Sequence, residues 1–214
     1  VGHARPGSVG IPLRGVHVSV ESDGELCIRG PGVFTGYYED PEATLAAFTE
    51  DGAFKTGDLG RIDDEGYIWI TGRKKAIIVT SGGKNIAPIP IEQRLQHDLI
   101  EQAIVVGDDR PYLVALICLS QPLLETLADK KGWNGELDDW RQRPEVYDRV
   151  RRIVDNANES RASFESIKKF AILPRSLSIE DDELTPTLKL RRHAVMRNFR
   201  NQVDSLYDAQ ETRR

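Results

Sequence analysis

The sequence predicts an α+β fold, a partial β-barrel-like segment followed by a small mixed α+β domain, on three observations. Residues 1–71 carry two hairpin signals and one short helix, too little facing surface for these strands to bury their own apolar sides. They read as part of a barrel or sheet whose remainder is absent. Beyond Thr71-Gly72 the pattern changes to strands interleaved with helices, which suits a compact α+β domain. Neither stretch contains an internal repeat or a low-complexity segment.

The elements follow from local chemistry. Val16, Val18 and Val20 alternate, Ser22-Asp23-Gly24 turns, and Glu25-Leu26-Cys27-Ile28-Arg29 returns, which is a hairpin pattern. Asp40 as N-cap and Pro41 at the first helical position begin a short helix through Phe48. Phe54 to Gly60 reads as a tight irregular segment, and Arg61-Ile62-Asp63 with Tyr67 to Ile70 forms a second hairpin across Asp64-Glu65-Gly66. Ile77 to Thr80 is a short strand, Ser81 to Asn85 a turn, and Ile86 to Pro90 an extended link into a helix at about Ile91 to Gln96. Gln102 to Val106 and Leu113 to Leu119 are strands. A helix from about Pro122 to Lys131 ends at Gly132, Trp133 to Arg141 reads as a loop, and Arg143 to about Ser160 is a second, more charged helix. Lys168 to Leu173 is a strand, Pro174 to Leu190 is mostly irregular, and Arg191 to Leu206 is helical.

Composition excludes several classes. The 214 residues are 39% hydrophobic and 29% charged, the balance of a globular chain and not of a disordered one. A net charge of −5 gives no global attraction to nucleic acid or to an anionic membrane, so no nucleic-acid partner is expected. No apolar stretch approaches the roughly 20 residues of a transmembrane helix, and Val1-Gly2-His3-Ala4-Arg5-Pro6-Gly7 lacks a signal-peptide core. The chain reads as cytoplasmic, with peripheral contact at a membrane left open. Its one methionine is Met196, so a chain starting at Val1 is expected to be processed or a piece of something longer. Cys27 and Cys118 lie in apolar runs and read as plain buried thiols. The histidines His3, His17, His97 and His193 have no ligand spacing, so no metal site is expected in this chain.

Three places can carry chemistry. Ser81-Gly82-Gly83-Lys84 lacks the spacing of a phosphate loop and, taken alone, is more often a turn. Asp58, after Thr56-Gly57, can accept hydrogen bonds from the vicinal hydroxyls of a ribose, although closing an Asx-type turn is the commoner use of that spacing. Lys189 follows Pro186 on a loop before a helix, where its ammonium can reach phosphate or carboxylate oxygens; an ordinary exposed Lys is the competing reading. The charges from Arg141 to Arg161 alternate in sign and read as a solvated helix face.

Five ordered motifs join these segments: Gly24-Glu25-Leu26-Cys27-Ile28-Arg29-Gly30-Pro31, Gly36-Tyr37-Tyr38, Lys55-Thr56-Gly57-Asp58-Leu59-Gly60, Ile70-Thr71-Gly72-Arg73-Lys74-Lys75 and Thr185-Pro186-Thr187-Leu188-Lys189. With them the chain resembles the C-terminal part of the adenylate-forming acyl-CoA synthetases, most like the long-chain fatty-acid CoA ligases. The helical insertion at about 121–163 and Phe164 to Phe170 fit the long-chain branch better than the acetate or luciferase branches. The resemblance implies that residues 1–72 are the end of a large N-terminal adenylation domain and that 73–214 form a mobile lid. It implies a fatty acid, ATP and coenzyme A as ligands, with Mg2+ bound mainly by the preceding part of the enzyme, and that N-terminal domain as the principal partner.

The reaction implied has two steps: a fatty carboxylate attacks the α-phosphate of ATP to give acyl-AMP and pyrophosphate, and the thiol of coenzyme A then displaces AMP. By the same resemblance, Asp58 holds the ribose hydroxyls with Arg73 beside the ribose and phosphate, Lys189 is the adenylation lysine, and Lys75 is the hinge. After the lid rotates, the Ile77 to Asn85 segment replaces Lys189, with Gly82 and then Gly83 lining the pantetheine passage. Two departures accompany these implications. Many relatives have Gly before the lysine where this chain has Leu188, and the family's phosphate loop, adenine segment and fatty-acid tunnel do not occur here. The isolated chain is therefore expected to be inactive. A fatty-acyl-AMP ligase that delivers to a carrier protein, and a non-catalytic interaction module of the same fold, are the alternatives; Asp58, Arg73 and Lys189 together argue against the module.

Overall fold

The structure, a computed structural model, describes residues 4–208. His3 and the first residues of the N-terminal run, together with the end of the expected lid, lie outside the described residues. The chain divides into two compact units, Val1–Ile77 and Ile78–Arg214.

The first unit is built on a curled antiparallel sheet in the order β1 (His17–Val20), β2 (Glu25–Arg29), β3 (Phe54–Ile62) and β4 (Ile68–Arg73). Gly24, at φ 86°, turns the first hairpin, and Asp23 Oδ1 accepts the Glu25 N–H at 3.1 Å to close it. Asp63 closes the second: its Oδ1 accepts the Glu65 and Tyr67 N–H groups, while Oδ2 accepts Trp69 Nε1–H at 2.9 Å. The segment from Phe54 to Gly60, expected to be irregular, is the first part of β3. Its register shifts against both neighbours, which hides its period in the sequence without breaking the pairing. At Gly60 a Cβ would stand 2.5 Å from Trp69 O and 2.6 Å from Leu26 Cδ1, so only glycine fits. Helix α1 (Pro41–Ala47) starts as its sequence dictates, with Asp40 Oδ1 accepting the Ala43 N–H at 2.8 Å.

Among the described residues, the buried hydrophobic side chains of this unit are Leu26, Cys27, Ala53 and Ile68, while Val9, Ile11, Leu13, Tyr37, Tyr38 and Leu45 are exposed. That imbalance follows from the small facing surface of four short strands and one helix.

The second unit begins with a two-stranded ladder, β5 (Ile78–Val79) and β6 (Asn85–Ile86), and is centred on a three-stranded sheet in the order β7 (Ile100–Val106), β8 (Leu113–Leu119), β9 (Ile167–Ile172). Strand β8 pairs antiparallel with β7 and parallel with β9, and all seven of its residues are buried. Its side chains alternate between two cores. Leu113, Ala115, Ile117 and Leu119 pack with Ile91 of α2 (Ile89–Arg94), Leu124 of α3 (Gln121–Lys131), and Val146, Val150, Val154 and Ala157 of α5 (Pro144–Asn158). Val114, Leu116 and Cys118 pack with Val195 of α6 (Arg192–Asn198), Phe199 and Val203 of α7 (Arg200–Asp208). Each core buries large aliphatic side chains, and that burial is the main stabilising term.

Four sequence expectations need correcting here. Residues 133–141 are not all loop: Leu137–Arg141 form a helical turn, α4, because Glu136 and Asp139 make a reciprocal capping box. Helix α2 starts at Ile89, since Pro90 in the first turn needs no N–H partner. The C-terminal helix is interrupted at Phe199, which is 3% exposed and leaves helical geometry at φ −109° and ψ 24° so that its ring enters the core. The charged run around α5 is only in part a solvated face. Arg141 is buried, donating to Asp138 Oδ1 at 2.7 Å and Pro174 O at 2.9 Å, and Arg161 donates to Pro90 O at 2.9 Å.

The expected end of α3 is present, with Gly132 at φ 64° serving as the left-handed cap. Both cysteines are free and buried, and burial pushes the Cys118 thiol up to about 11. Among the described residues, no helix is long and apolar enough to cross a membrane.

Candidate functional site

The structure brings Asp58 and Arg73 together. They are cross-strand partners on β3 and β4, and Arg73 Nε donates to Asp58 Oδ1 at 2.7 Å. Gly57, at φ 73°, turns the backbone just before Asp58, and the Asp58 N–H donates to Thr56 Oγ1 at 3.1 Å. Thr56 Oγ1 in turn donates to Leu26 O at 2.6 Å, tying the carboxylate's own segment to β2. The Asp58 side chain is 22% exposed and that of Arg73 63%, so the pair is open to a ligand on one side. A carboxylate has about four acceptor positions, so one bond to Arg73 leaves capacity for vicinal hydroxyls.

Two residues that the sequence reading did not assign hold this pair. Glu25, 5% exposed, accepts the Gly57 N–H at 2.9 Å on Oε1 and Lys74 Nζ at 2.8 Å on Oε2. One buried carboxylate thereby fixes both the residue before Asp58 and the residue after Arg73. Lys74 also donates to Asp23 Oδ2 at 2.5 Å, and the bonds to Asp23 and Glu25 raise its pKa above the ordinary lysine value. The one available signal was the Gly24-Glu25-Leu26 motif itself; nothing in its spacing says that the Glu points inward.

Lys75 lies in a 3-10 turn, Lys74–Ala76, that follows β4 directly. It is exposed, whereas its neighbour Lys74 is anchored within the first unit.

Gly82, Gly83 and Lys189 belong to the second unit. The two glycines form the tip of the β5–β6 ladder, where the Gly83 N–H donates to Thr80 O at 2.8 Å and the Lys84 N–H to Thr80 Oγ1 at 3.1 Å. Gly83 is at φ 71°, and a Cβ there would meet nothing within 4 Å; at Gly82 it would approach only Thr80 Oγ1, at 4.0 Å. The tip is therefore bare on its outer side. Ser81-Gly82-Gly83-Lys84 adopts the turn reading, and Lys84 Nζ lies over the Phe164 ring at 5.4 Å.

Lys189 is exposed on a tight hairpin. The Thr185 N–H donates to Lys189 O at 2.8 Å, the Lys189 N–H to Thr185 Oγ1 at 3.0 Å, and the Leu188 N–H to Thr185 O at 2.8 Å. Leu188 is forced to φ 58°, the left-handed conformation that glycine adopts without cost. The departure noted in the sequence thus falls on a position whose backbone suits glycine.

Among the described residues, no group of three or more His, Cys, Asp and Glu side chains is placed to hold a metal ion. A cavity of about 920 Å³ in the first unit is lined by residues including Gly36, Tyr37, Phe48 and Lys55; neither Asp58 nor Arg73 lines it.

Comparison with known proteins gives a family. A family model described as the AMP-binding enzyme C-terminal domain matches residues 75–211, starting at Lys75. The chain is 42% identical over 205 residues to the long-chain-fatty-acid–CoA ligase FadD15 of Mycobacterium tuberculosis, covering 94% of this chain and 34% of that protein. It is 32% identical over 222 residues to the long-chain-fatty-acid–CoA ligase ACSBG1 of Homo sapiens, covering 94% of this chain and 31% of that protein. It thus spans about a third of the length of these relatives. Among solved structures it matches the A-PCP didomain of carboxylic acid reductase from Segniliparus rugosus in complex with AMP, with a TM-score of 0.67, 26% identity, and coverage of 87% of this chain and 25% of that one. It also matches O-succinylbenzoate coenzyme A synthetase from Bacillus subtilis in complex with AMP, with a TM-score of 0.63, 26% identity, and coverage of 88% and 35%. On its sequence and its fold alike, the chain belongs to the AMP-binding enzyme C-terminal domain family and is similar to the long-chain fatty-acid CoA ligases.

Proposed function

We propose that this chain is the C-terminal portion of an ATP-dependent long-chain fatty-acid CoA ligase, and that its second unit serves both half-reactions of that enzyme. The observation that carries the reading is the separation of chemistry between the units. An Asp58–Arg73 pair suited to a ribose lies in one; a lysine on a closed hairpin and a bare glycine tip lie in the other. Asp58 accepts hydrogen bonds from the ribose hydroxyls of ATP, and Arg73 both holds that carboxylate in place and puts positive charge beside the phosphates. Lys189 bridges the attacking fatty carboxylate and the α-phosphate, where a compact positive charge stabilises the negative charge that develops on the transferring group. When the lid turns about Lys75, the Gly82-Gly83 tip takes that place, and its lack of side chains lets the pantetheine arm of coenzyme A pass close to the backbone.

Mg2+ is expected to be held mainly by the preceding part of the enzyme together with the phosphates of ATP. The apolar residues exposed on the first unit, among them Val9, Ile11, Leu13 and Leu45, support the N-terminal adenylation domain as the partner that covers them. By itself the chain is expected not to activate a fatty acid.

The test is Lys189→Ala in the complete ligase. Acyl-AMP formation should fall by about 100-fold or more, while conversion of supplied acyl-AMP and coenzyme A to thioester continues. Equal loss in both half-reactions would remove the role assigned to Lys189.

A further inference from the structure

The buried carboxylate of Glu183 has no solvent exposure and lies in a stretch without helix or extended strand. Its acceptor positions are filled. Arg175 donates from Nη1 to Oε2 and from Nη2 to Oε1, both at 2.8 Å; Asn198 Nδ2 donates to Oε1 at 3.0 Å; the Ser178 N–H donates to Oε2 at 3.1 Å. The Arg175 guanidinium also lies over the Phe199 ring, 5.1 Å from its centroid. A buried ion pair adds little net stability over well-packed apolar groups of the same volume, so its presence in a surface loop calls for another explanation; fixing one geometry is the candidate.

The geometry it fixes is the Lys189 hairpin. The Arg191 N–H donates to Glu183 O at 2.7 Å as the first rung, Leu184 bridges to Leu190, and the Thr185 N–H donates to Lys189 O at 2.8 Å as the next. The outgoing strand continues into α6, whose last residue, Asn198, returns to Glu183 Oε1 and to Asp181 O, both at 3.0 Å. Both limbs of the hairpin therefore close on one carboxylate.

We propose that Glu183, held by Arg175 and Asn198, is a positioning residue for Lys189: it fixes the base of the hairpin that presents the lysine. This rests on the reading of Lys189 as the adenylation lysine. The side chain at the tip is long and exposed, so a loosened base spreads its ammonium over many positions, and small displacements of a charge-bearing group carry large rate penalties.

The experiment uses the complete ligase with Glu183→Gln, Asn198→Ala and Lys189→Ala. Asn198 is exposed, so its variant leaves the Arg175 pair in place and serves if Glu183→Gln does not fold. For Glu183→Gln the expected result is a fall of about tenfold or more in acyl-AMP formation, with thioester formation from supplied acyl-AMP within about twofold of wild type. Asn198→Ala should shift the same half-reaction in the same direction by less. Amide exchange in 184–190 should accelerate in both variants, and Glu183→Gln should add no further loss in a Lys189→Ala background. Unchanged adenylation, or equal loss in both half-reactions, overturns the proposal and leaves Glu183 a purely structural residue. If Lys189→Ala itself affects both half-reactions alike, the reading of Lys189 fails separately. Exchange then decides the anchoring by itself, and unaltered exchange in 184–190 overturns it.

Discussion

At the scale of single residues, the Lys55-Thr56-Gly57-Asp58-Leu59-Gly60 motif divides into parts with different physical reasons. Asp58 is there for its oxygens, Thr56 for its bond to β2, and Gly60 for the absence of a side chain. Gly60→Ala would drive a methyl into Trp69 O and Leu26, of which the first is backbone and cannot rotate away. A loss of about 2–3 kcal/mol is expected, read as a lowered midpoint in urea unfolding. Gly57→Ala meets nothing within 4 Å and has only the strain of φ 73°, about 1 kcal/mol, so the two variants should separate clearly. Asp58 and Arg73 stand out in the sequence only through the ordered motifs that carry the resemblance, since spacing alone favours a turn closer at Asp58. The inward position of Glu25 is not legible. Charged residues are rarely buried, and the register shift between Glu25 and Cys27 that accompanies its inward position leaves no trace in an alternation pattern.

At the scale of elements, β8 shows why part of the fold could be read directly. Seven consecutive apolar residues between a turn and a helix start describe a strand covered on both faces, and both faces are covered. The parallel pairing of β8 with β9 requires a long crossover, and α3, α4 and α5 supply it. The stretch from 121 to 163, read as an insertion, thus contributes Val146, Val150, Val154 and Ala157 to a core shared with β8. What remained hidden in that stretch was α4, whose capping box is closed by Glu136 and Asp139, neither of which stands out in so acidic a run.

Acid stability should report on the loop network between β9 and α6. Burial opposes ionisation of Glu183, but the hydrogen bonds from Arg175, Asn198 and Ser178 outweigh it and hold its pKa below the ordinary carboxylate value. A lowered folded-state pKa contributes stability that is fully present above the unfolded pKa of about 4.3 and is lost as pH falls through the folded value. Wild-type protein is therefore expected to lose stability below about pH 4 more steeply than Glu183→Gln, followed by near-ultraviolet circular dichroism in an acid titration. Parallel curves would show that the carboxylate is not linked to unfolding.

At the scale of the whole molecule, the chain joins two units of unlike character. The first has few buried apolar residues and several exposed ones; the second has two cores built on the two faces of one strand. Near the end of the first unit, Lys74 is bonded to Asp23 and Glu25, Lys75 is exposed, and the division falls after Ile77. The proposed hinge at Lys75 places the changing backbone torsions just after this anchored residue. The resemblance points to Lys75 as the hinge, and nothing in Arg73-Lys74-Lys75 tells that Lys74 is the anchored lysine, since that depends on the fold around Glu25.

In the proposed function one lid serves two half-reactions by turning at Lys75, and Lys75→Pro in the complete ligase is the decisive variant, because proline fixes φ near −65° and removes the torsional freedom. Acyl-AMP formation is expected to stay within about threefold of wild type, while thioester formation from supplied acyl-AMP falls by about tenfold or more. Two half-reactions that respond alike would contradict a hinge at Lys75.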